Sequence, residues 1–138
     1  MSEATSRNHE LYLDEDALGL TRHLRRRGWN VYRCTQSHLI GSAATDPKQL
    51  LEATRLQRIL ISYNRPDYEL VHEAWILAGG EHAGILSFHG GANVELENFA
   101  DAIHTLLLAV TSAYLRNSLR IWHPIDQRWR RFGEGGAT

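Results

Sequence analysis

Polar side chains with oxygen ligands recur where apolar segments of the chain end. Four are carboxylates and one is an amide: Asp14, Asp16, Asp46, Asn64 and Asp67. Carboxylates that gather at one place repel each other unless a cation neutralises them. A ligand set made only of oxygen favours Mg²⁺ or Mn²⁺. These ions activate water and stabilise phosphoryl charge, so the pattern points to the chemistry of metal-dependent nucleases.

Each of these residues also has a purely structural explanation. Asp14 or Asp16 can cap the helix predicted to follow and complement its dipole. Asp46 precedes a proline, which is the usual arrangement of an N-cap and a first helical position. Asp67 also suits an N-cap, and Asn64 suits a turn with positive φ. Capping and ion binding are compatible in one carboxylate, so the pattern alone leaves both open.

The hydrophobic pattern predicts the elements that must position these residues. Strands are predicted at 10–13, 29–34, 58–63, 83–88 and 119–122. Helices are predicted at 17–27, 47–56, 67–78 and 94–116. Strands that alternate with helices in this way predict an α/β fold with a parallel sheet covered on both faces. Right-handed crossovers then place the carboxyl ends of the strands at one edge, where ligands bind in such folds.

For two of the helices, the sequence predicts which residues form the apolar face that packs against the sheet. In the helix at 67–78, the residues predicted to face inward are Leu70, Val71, Ala74 and Leu77. In the helix at 94–116, a continuous stripe is predicted from Leu96, Phe99, Ile103, Leu107, Val110 and Tyr114. Three leucines are consecutive at 106–108, so one must point away from the sheet. We therefore expect a homodimer or a contact with a partner protein to cover it.

Length and composition predict one domain without a membrane segment. The 138 residues divide into a flexible N-terminus at 1–9, a folded domain at 10–123 and a polar C-terminal tail at 124–138. Cys34 is the only cysteine, which excludes an intramolecular disulfide and a cysteine-based zinc site. The first ten residues are polar, and the longest apolar stretch is too short to cross a bilayer. A cytoplasmic location is the expectation.

The basic residues form clusters although the net charge is only −1. The clusters lie at 22–27 and 128–132, and 14 of the 15 basic residues are arginine. Arginine suits bidentate phosphate contacts, but a general composition bias is the simpler explanation of its excess, and charge alone does not show a nucleic-acid surface. Arg22, Arg26 and Arg65 are the candidates for contacts with RNA phosphates. His72 and His89 are candidate acids or phosphate contacts at the same edge, with packing or surface roles as the alternative.

The chain resembles a known family through several of these segments. The segments are "LYLDED", a helix ending in "RRRG", the helix start at Asp46 and "ILISYNRPDYELVHEAWILAGGEHAGIL". Over about residues 10–122 they resemble the small bacterial family of PIN-like proteins known as DUF5615. The resemblance implies a PIN-like three-layer α/β/α sandwich with a central parallel sheet. It also implies Mg²⁺- or Mn²⁺-dependent ribonuclease activity, and many PIN domains are toxins of toxin–antitoxin pairs.

The resemblance also assigns site residues. The first acidic position of the family falls on Asp14, with Asp16 two residues later, and its helix-start acid falls on Asp46. A motif after the third strand often carries two aspartates in the family. Here its first aspartate is replaced by Asn64, and the second is Asp67. Asparagine is a neutral ligand that holds a divalent ion less strongly than a carboxylate does.

Two functions follow as expectations. In the first, the protein is a metal-dependent RNA endonuclease in which Asp14, Asp46 and Asp67 hold Mg²⁺ or Mn²⁺, supported by Asp16 and Asn64. An antitoxin protein and a homodimer are then the expected partners. In the second, the site is degenerate, and the protein is a binding module that contacts a protein partner or RNA without cleavage. A phosphotransfer receiver domain is disfavoured because the only lysine, Lys48, is far from the last strand.

Overall fold

The computed structural model describes residues 9–36, 46–63, 65–89 and 95–133. Asn64 lies outside the described residues. The strands are β1 (Glu10–Leu13), β2 (Asn30–Arg33), β3 (Ile59–Ile61), β4 (Ile85–Phe88), β5 (Leu119–His123) and β6 (Arg128–Arg131). The α-helices are α1 (Thr21–Arg26), α2 (Asp46–Arg55), α3 (Arg65–Leu77), α4 (Leu96–Ala109) and α5 (Ser112–Leu115). Two 3₁₀ segments follow β1 and β2, at Glu15–Leu20 and Cys34–Gln36.

The strands form one six-stranded sheet in the order β2-β1-β3-β4-β5-β6. The first five strands are parallel to their neighbours, and β6 is antiparallel to β5. The predicted parallel sheet is therefore confirmed. Because β1 lies between β2 and β3, the connections that leave β1 and β3 run in opposite directions along the sheet.

Both faces of the sheet are covered, because consecutive strand residues pack into different clusters. Leu11 and Leu13 of β1 belong to a cluster with residues of α1 and α4, such as Leu24 and Phe99. Tyr12, between them, belongs to a second cluster with residues of α2 and α3. Side chains alternate between the faces of a strand, so a strand that is apolar throughout must be buried on both. The result is an α/β fold compatible with three α/β/α layers.

The chain after β1 first forms a 3₁₀ segment and only then an α-helix. The predicted helix at 17–27 is thus divided, with Glu15–Leu20 in the 3₁₀ conformation and Thr21–Arg26 as α1. Gly28 follows with a φ of 94°, the left-handed conformation predicted for it. This arrangement lets Ala17, Leu20 and Leu24 all enter the core.

The prediction for the inward face of α3 is wrong for three of its four residues, since only Val71 packs against the second cluster. Leu70 is 69% exposed and Leu77 is 83% exposed, whereas Tyr68 and His72 of the same helix are buried. The buried positions have the same helical spacing but begin two residues earlier. Helix α3 therefore presents one face of mixed polarity to the sheet and a second, apolar face outward.

The prediction of one helix from 94 to 116 is also corrected. Helix α4 ends at Ala109, Val110 and Thr111 are extended, and α5 begins at Ser112. The Thr111 side chain accepts a hydrogen bond from the Tyr114 backbone N–H at 3.2 Å and so caps α5. Tyr114, predicted to face inward, is 51% exposed.

The predicted polar tail contains a strand. Residues 128–131 form β6, and its Trp129 indole donates a hydrogen bond to the Ala102 carbonyl of α4. The folded part of the chain therefore extends past residue 123. Among the helices of the described residues, none is long and apolar enough to span a membrane.

Candidate functional site

Asp14 is a buried carboxylate at the carboxyl end of β1. Its side chain is only 4% exposed, and it makes no capping hydrogen bond to the 3₁₀ segment that follows. Its Oδ1 atom has no hydrogen-bond partner within the described residues. Burial raises the pKa of Asp14 to about 9, with further contributions from the hydrogen bond and the charge of Asp16. A capping role therefore does not explain Asp14.

Asp16 connects the segment after β1 to the end of β3. Its Oδ1 atom accepts hydrogen bonds from the Tyr63 backbone N–H at 3.0 Å and from the Ser62 hydroxyl at 3.3 Å. Ser62 is fully buried and also influences Asp14, whose pKa its hydrogen bond lowers. The two loops are thus joined at the carboxyl edge of the sheet.

Asp46 and Asp67 bring a second pair of carboxylates to this edge. Asp46 opens α2, and Asp67 lies in the first turn of α3. Burial raises the pKa of Asp46, followed by the charge of Asp67, a hydrogen bond with Asp67 and the charge of Asp16. The two carboxyl groups therefore lie close enough for the charge of Asp67 to disfavour ionisation of Asp46.

Tyr68 forms part of the same site, although the sequence pattern does not predict its side chain there. It is fully buried, and its hydroxyl has no partner of good geometry within the described residues. Burial is the main cause that raises its pKa, followed by the charges of Asp14 and Asp46. The feature of the sequence that could have identified Tyr68 is its position directly after Asp67, because an aromatic residue there enters the core beneath the carboxylates.

The topology of the sheet explains why these groups meet. Connections from β1 and β3 leave in opposite directions, which opens a crevice between their carboxyl ends, the usual ligand site of open α/β sheets. Asp14 directly follows β1, and Ser62 directly follows β3. The sequence-predicted residues Asp14, Asp16, Asp46 and Asp67 all interact around this crevice.

The donor set of the crevice fits a hard divalent cation. It consists of oxygen atoms, and it includes the buried Asp14 Oδ1 atom that lacks a partner in the described part of the chain. Within those residues, no three His, Cys, Asp or Glu side chains are already arranged as ligands around one point.

The two candidate histidines have different positions. His72 is buried and lies 2.8 Å from His82, so it belongs to the core and not to the carboxyl edge. His89 is exposed beyond β4, and its ring stacks on His123 with centroids 4.6 Å apart. Only His89 of the two remains a candidate for the edge.

The arginines predicted to contact RNA lie in different settings. Arg22 and Arg26 are exposed on α1, and Arg65 begins α3, where it donates to Glu69 at 2.7 Å. Comparison of the chain with protein-family models, curated proteins and solved structures finds no match in any of the three.

Proposed function

We propose that the protein is a metal-dependent endonuclease that cleaves RNA at the crevice between β1 and β3. The observation that carries the proposal is the buried Asp14 carboxyl, which has an unpartnered oxygen within the described residues and lies near Asp16 and Asp46, with Asp67 next to Asp46. Placing like charges in a buried site is costly, and a divalent cation is the simplest compensation. The resemblance of the sequence to PIN-like proteins of the DUF5615 family supports the same assignment.

In this proposal, Asp14, Asp46 and Asp67 hold Mg²⁺ or Mn²⁺, and Asp16 orients the segment after β1. The bound cation would supply an activated water and stabilise the charge on the phosphate. Tyr68 and Ser62 form the buried floor of the site and exclude water from Asp14. Asn64, which the resemblance places among the ligands, stays a prediction.

RNA is the proposed substrate because arginine side chains are exposed on α1 and begin α3. These are Arg22 and Arg26 on α1 and Arg65 on α3, and guanidinium groups suit phosphate oxygens. Within this proposal, the protein acts as the toxin of a toxin–antitoxin pair. An antitoxin protein and a second copy of the chain are then its partners.

A second candidate function is a binding module that holds RNA or a protein partner without cleaving it. The observation that favours it is Asn64, a neutral side chain at a position where the resemblance expects a carboxylate. The two functions differ in a measurable way, because only the first requires a divalent ion for turnover.

The test is hydrolysis of a fluorogenic single-stranded RNA in millimolar Mn²⁺ and in EDTA. We expect cleavage only with Mn²⁺, and a fall of about tenfold to a hundredfold or more for Asp14→Asn and Asp67→Asn. Asp101→Asn is the matched control, because Asp101 is an exposed acid that pairs with Arg27 away from the crevice. Cleavage that persists in EDTA, or that survives both substitutions, would contradict the proposal. Binding without any cleavage would favour the second function.

A further inference from the structure

A groove of about 840 Å³ lies beside the acidic crevice, between the segment after β1, helix α1 and the start of α4. Among the described residues that line it, none is acidic and five are basic or histidine: Arg22, His23, Arg25, Arg26 and Arg33. The remaining lining residues are small or apolar. A concave surface with charge of one sign attracts ligands of the opposite sign.

Several of these cations are not neutralised by neighbouring carboxylates. In the part of the chain that the structure describes, no ion pair forms at Arg22, Arg25 or Arg33. The Arg25 guanidinium donates to the Val31 carbonyl at 2.9 Å, which fixes its position beside β2. Arg22 lies three and four residues before Arg25 and Arg26, a spacing that places side chains on neighbouring positions of a helix.

The groove is next to the acidic crevice. Arg33 is the cross-strand partner of Leu13, which immediately precedes Asp14. Paired Cα atoms in neighbouring strands are about 5 Å apart, so the end of the groove lies one strand away from the buried carboxyl. A polymer of phosphodiesters that enters the groove would therefore reach the crevice within a short distance.

The carboxylate of Glu97 is an anion that already contacts cations of the groove. Its carboxylate lies 2.7 Å from His23 Nδ1, 2.8 Å from the Arg27 guanidinium and 3.6 Å from the Arg26 guanidinium. These groups hold the pKa of Glu97 below its usual range, with the hydrogen bond from Arg27 as the largest cause. The Glu97 side chain is 53% exposed, so an incoming anion can reach the same cations.

We propose that this groove binds the backbone phosphates of the RNA strand that the acidic crevice acts on, and that Glu97 competes with those phosphates for His23 and Arg26. The inference rests on the proposed function and adds to it the path of the substrate. Arg22, Arg25 and Arg33 supply the free positive charge. Glu97 limits affinity by occupying cations that would otherwise contact the strand.

The test is the affinity for a fluorescein-labelled single-stranded RNA of about 12 nucleotides, measured by anisotropy in EDTA between 50 and 200 mM salt. EDTA separates binding from cleavage. Glu97→Gln should bind more tightly and have a steeper salt dependence, by about 0.7 in the slope of log K against log salt for each additional phosphate that the protein neutralises. Arg22→Gln should bind more weakly, with a slope shallower by about the same amount.

Asp101→Asn is the control, because it removes a partner of Arg27 without exposing a lining cation of the groove. Circular dichroism melts verify that each variant is folded, and Arg22→Glu provides a second variant at an exposed position. Equal affinities for wild type, Glu97→Gln and Arg22→Gln would overturn the inference, as would a lack of RNA binding by the wild type. Tighter binding by an acidic peptide than by RNA would overturn it as well.

These outcomes are separable from those of the proposed function. Binding that depends on the groove, combined with no Mn²⁺-dependent cleavage, would leave the groove assignment standing and remove the nuclease. Mn²⁺-dependent cleavage, combined with groove variants that bind RNA as tightly as the wild type, would leave the nuclease standing and remove the groove assignment.

Discussion

The ionisation of Asp14 couples the free energy of unfolding to pH. A carboxyl group whose pKa is raised to about 9 is protonated in the folded protein at neutral pH, but ionised in the unfolded chain. Folding therefore takes up a proton, and this contribution to stability is present at low pH and is lost as pH rises toward 9. The fold tolerates this cost at a position where a neutral side chain would be easier to accommodate.

Asp14→Asn should therefore stabilise the protein in EDTA. Asparagine has nearly the same shape and no charge to remove from water, so we expect a gain on the order of 2 kcal/mol at pH 8 and a smaller gain at pH 5. The measurement is urea unfolding of both proteins at the two pH values. Millimolar Mn²⁺ should reverse the order, since a ligand at a hundred times its Kd adds about 2.7 kcal/mol to the wild type alone. A variant that is less stable than wild type in EDTA would contradict this account of Asp14.

A second buried pair, His72 and His82, has defined protonation states. His82 Nδ1 accepts a hydrogen bond from the Gly84 backbone N–H at 3.0 Å, so its Nε2 atom must carry the proton. Nε2 then donates to His72 Nδ1, 2.8 Å away. A further proton on His72 Nδ1 or on His82 Nδ1, the two nitrogens that accept, breaks one of these hydrogen bonds. Burial lowers the pKa of both rings, that of His82 to about 4, and the nearby charges of Arg131 and Glu73 act on His72 in opposite directions.

The pair should make stability depend on pH below neutrality. The pKa of His82 is lowered from 6.5 to about 4 in the folded protein. Its contribution to the free energy of unfolding is therefore present above pH 6.5 and is lost as pH falls toward 4. The loss is on the order of 3 kcal/mol, at about 1.36 kcal/mol for each pKa unit. Unfolding free energies from pH 4.5 to 7.5 should have a smaller slope in His82→Gln than in wild type. Thr105→Gln, which replaces an exposed residue without an ionisable group, is the control and should keep the wild-type slope.

At the scale of elements, helix α3 differs most from its prediction. The apolar residues at 70, 74 and 77 have helical spacing, which predicts that they face the sheet. The sheet instead receives Tyr68 and His72, which fill a larger volume, and His72 also forms a hydrogen bond with His82 within the core. Periodicity identifies an apolar face but does not say which layer it contacts, so a helix with two such faces cannot be oriented from sequence alone. Exposed Leu51 on α2 lies on the same side of the sheet as α3.

We expect this outer surface of α3 to contact a partner. If the contact is a homodimer, Leu70→Glu together with Leu77→Glu should halve the apparent mass in light scattering, because two charges would be buried in the interface. Leu108→Glu on α4 tests the surface expected from the sequence, since Leu108 is 43% exposed. A wild type that is already monomeric at high concentration would contradict the homodimer and leave a partner protein as the occupant.

The break between α4 and α5 shows another limit of sequence patterns. The segment "LLLAVTSAYL" is apolar enough to extend a helix, and its pattern predicts one. Thr111 nevertheless ends the run by capping α5, and Leu115 is buried beyond it. A threonine followed by serine is a helix-start signal that the surrounding leucines conceal.

At the scale of the whole molecule, the acidic site was predictable because it follows from chain order. Asp14, Asp46 and Asp67 each lie after a strand or at the start of a helix, and all parallel strands end at the same edge. The order of strands in the sheet was not predictable, because it depends on which crossover passes over which face. The neighbours β1 and β3, and with them the contact between Asp16 and Ser62, emerge only from the structure.

The antiparallel strand β6 also determines how the molecule behaves toward other sheets. Without it, β5 would be an outermost strand, and its residues 119–122 are all buried. An apolar strand with unpaired backbone groups is a template for aggregation. With β6 in place, the strand at this edge of the sheet instead carries Arg128, Arg130 and Arg131, all exposed. Charge repulsion between such edges opposes sheet extension, so a chain shortened to residue 124 should precipitate where the full chain stays in solution.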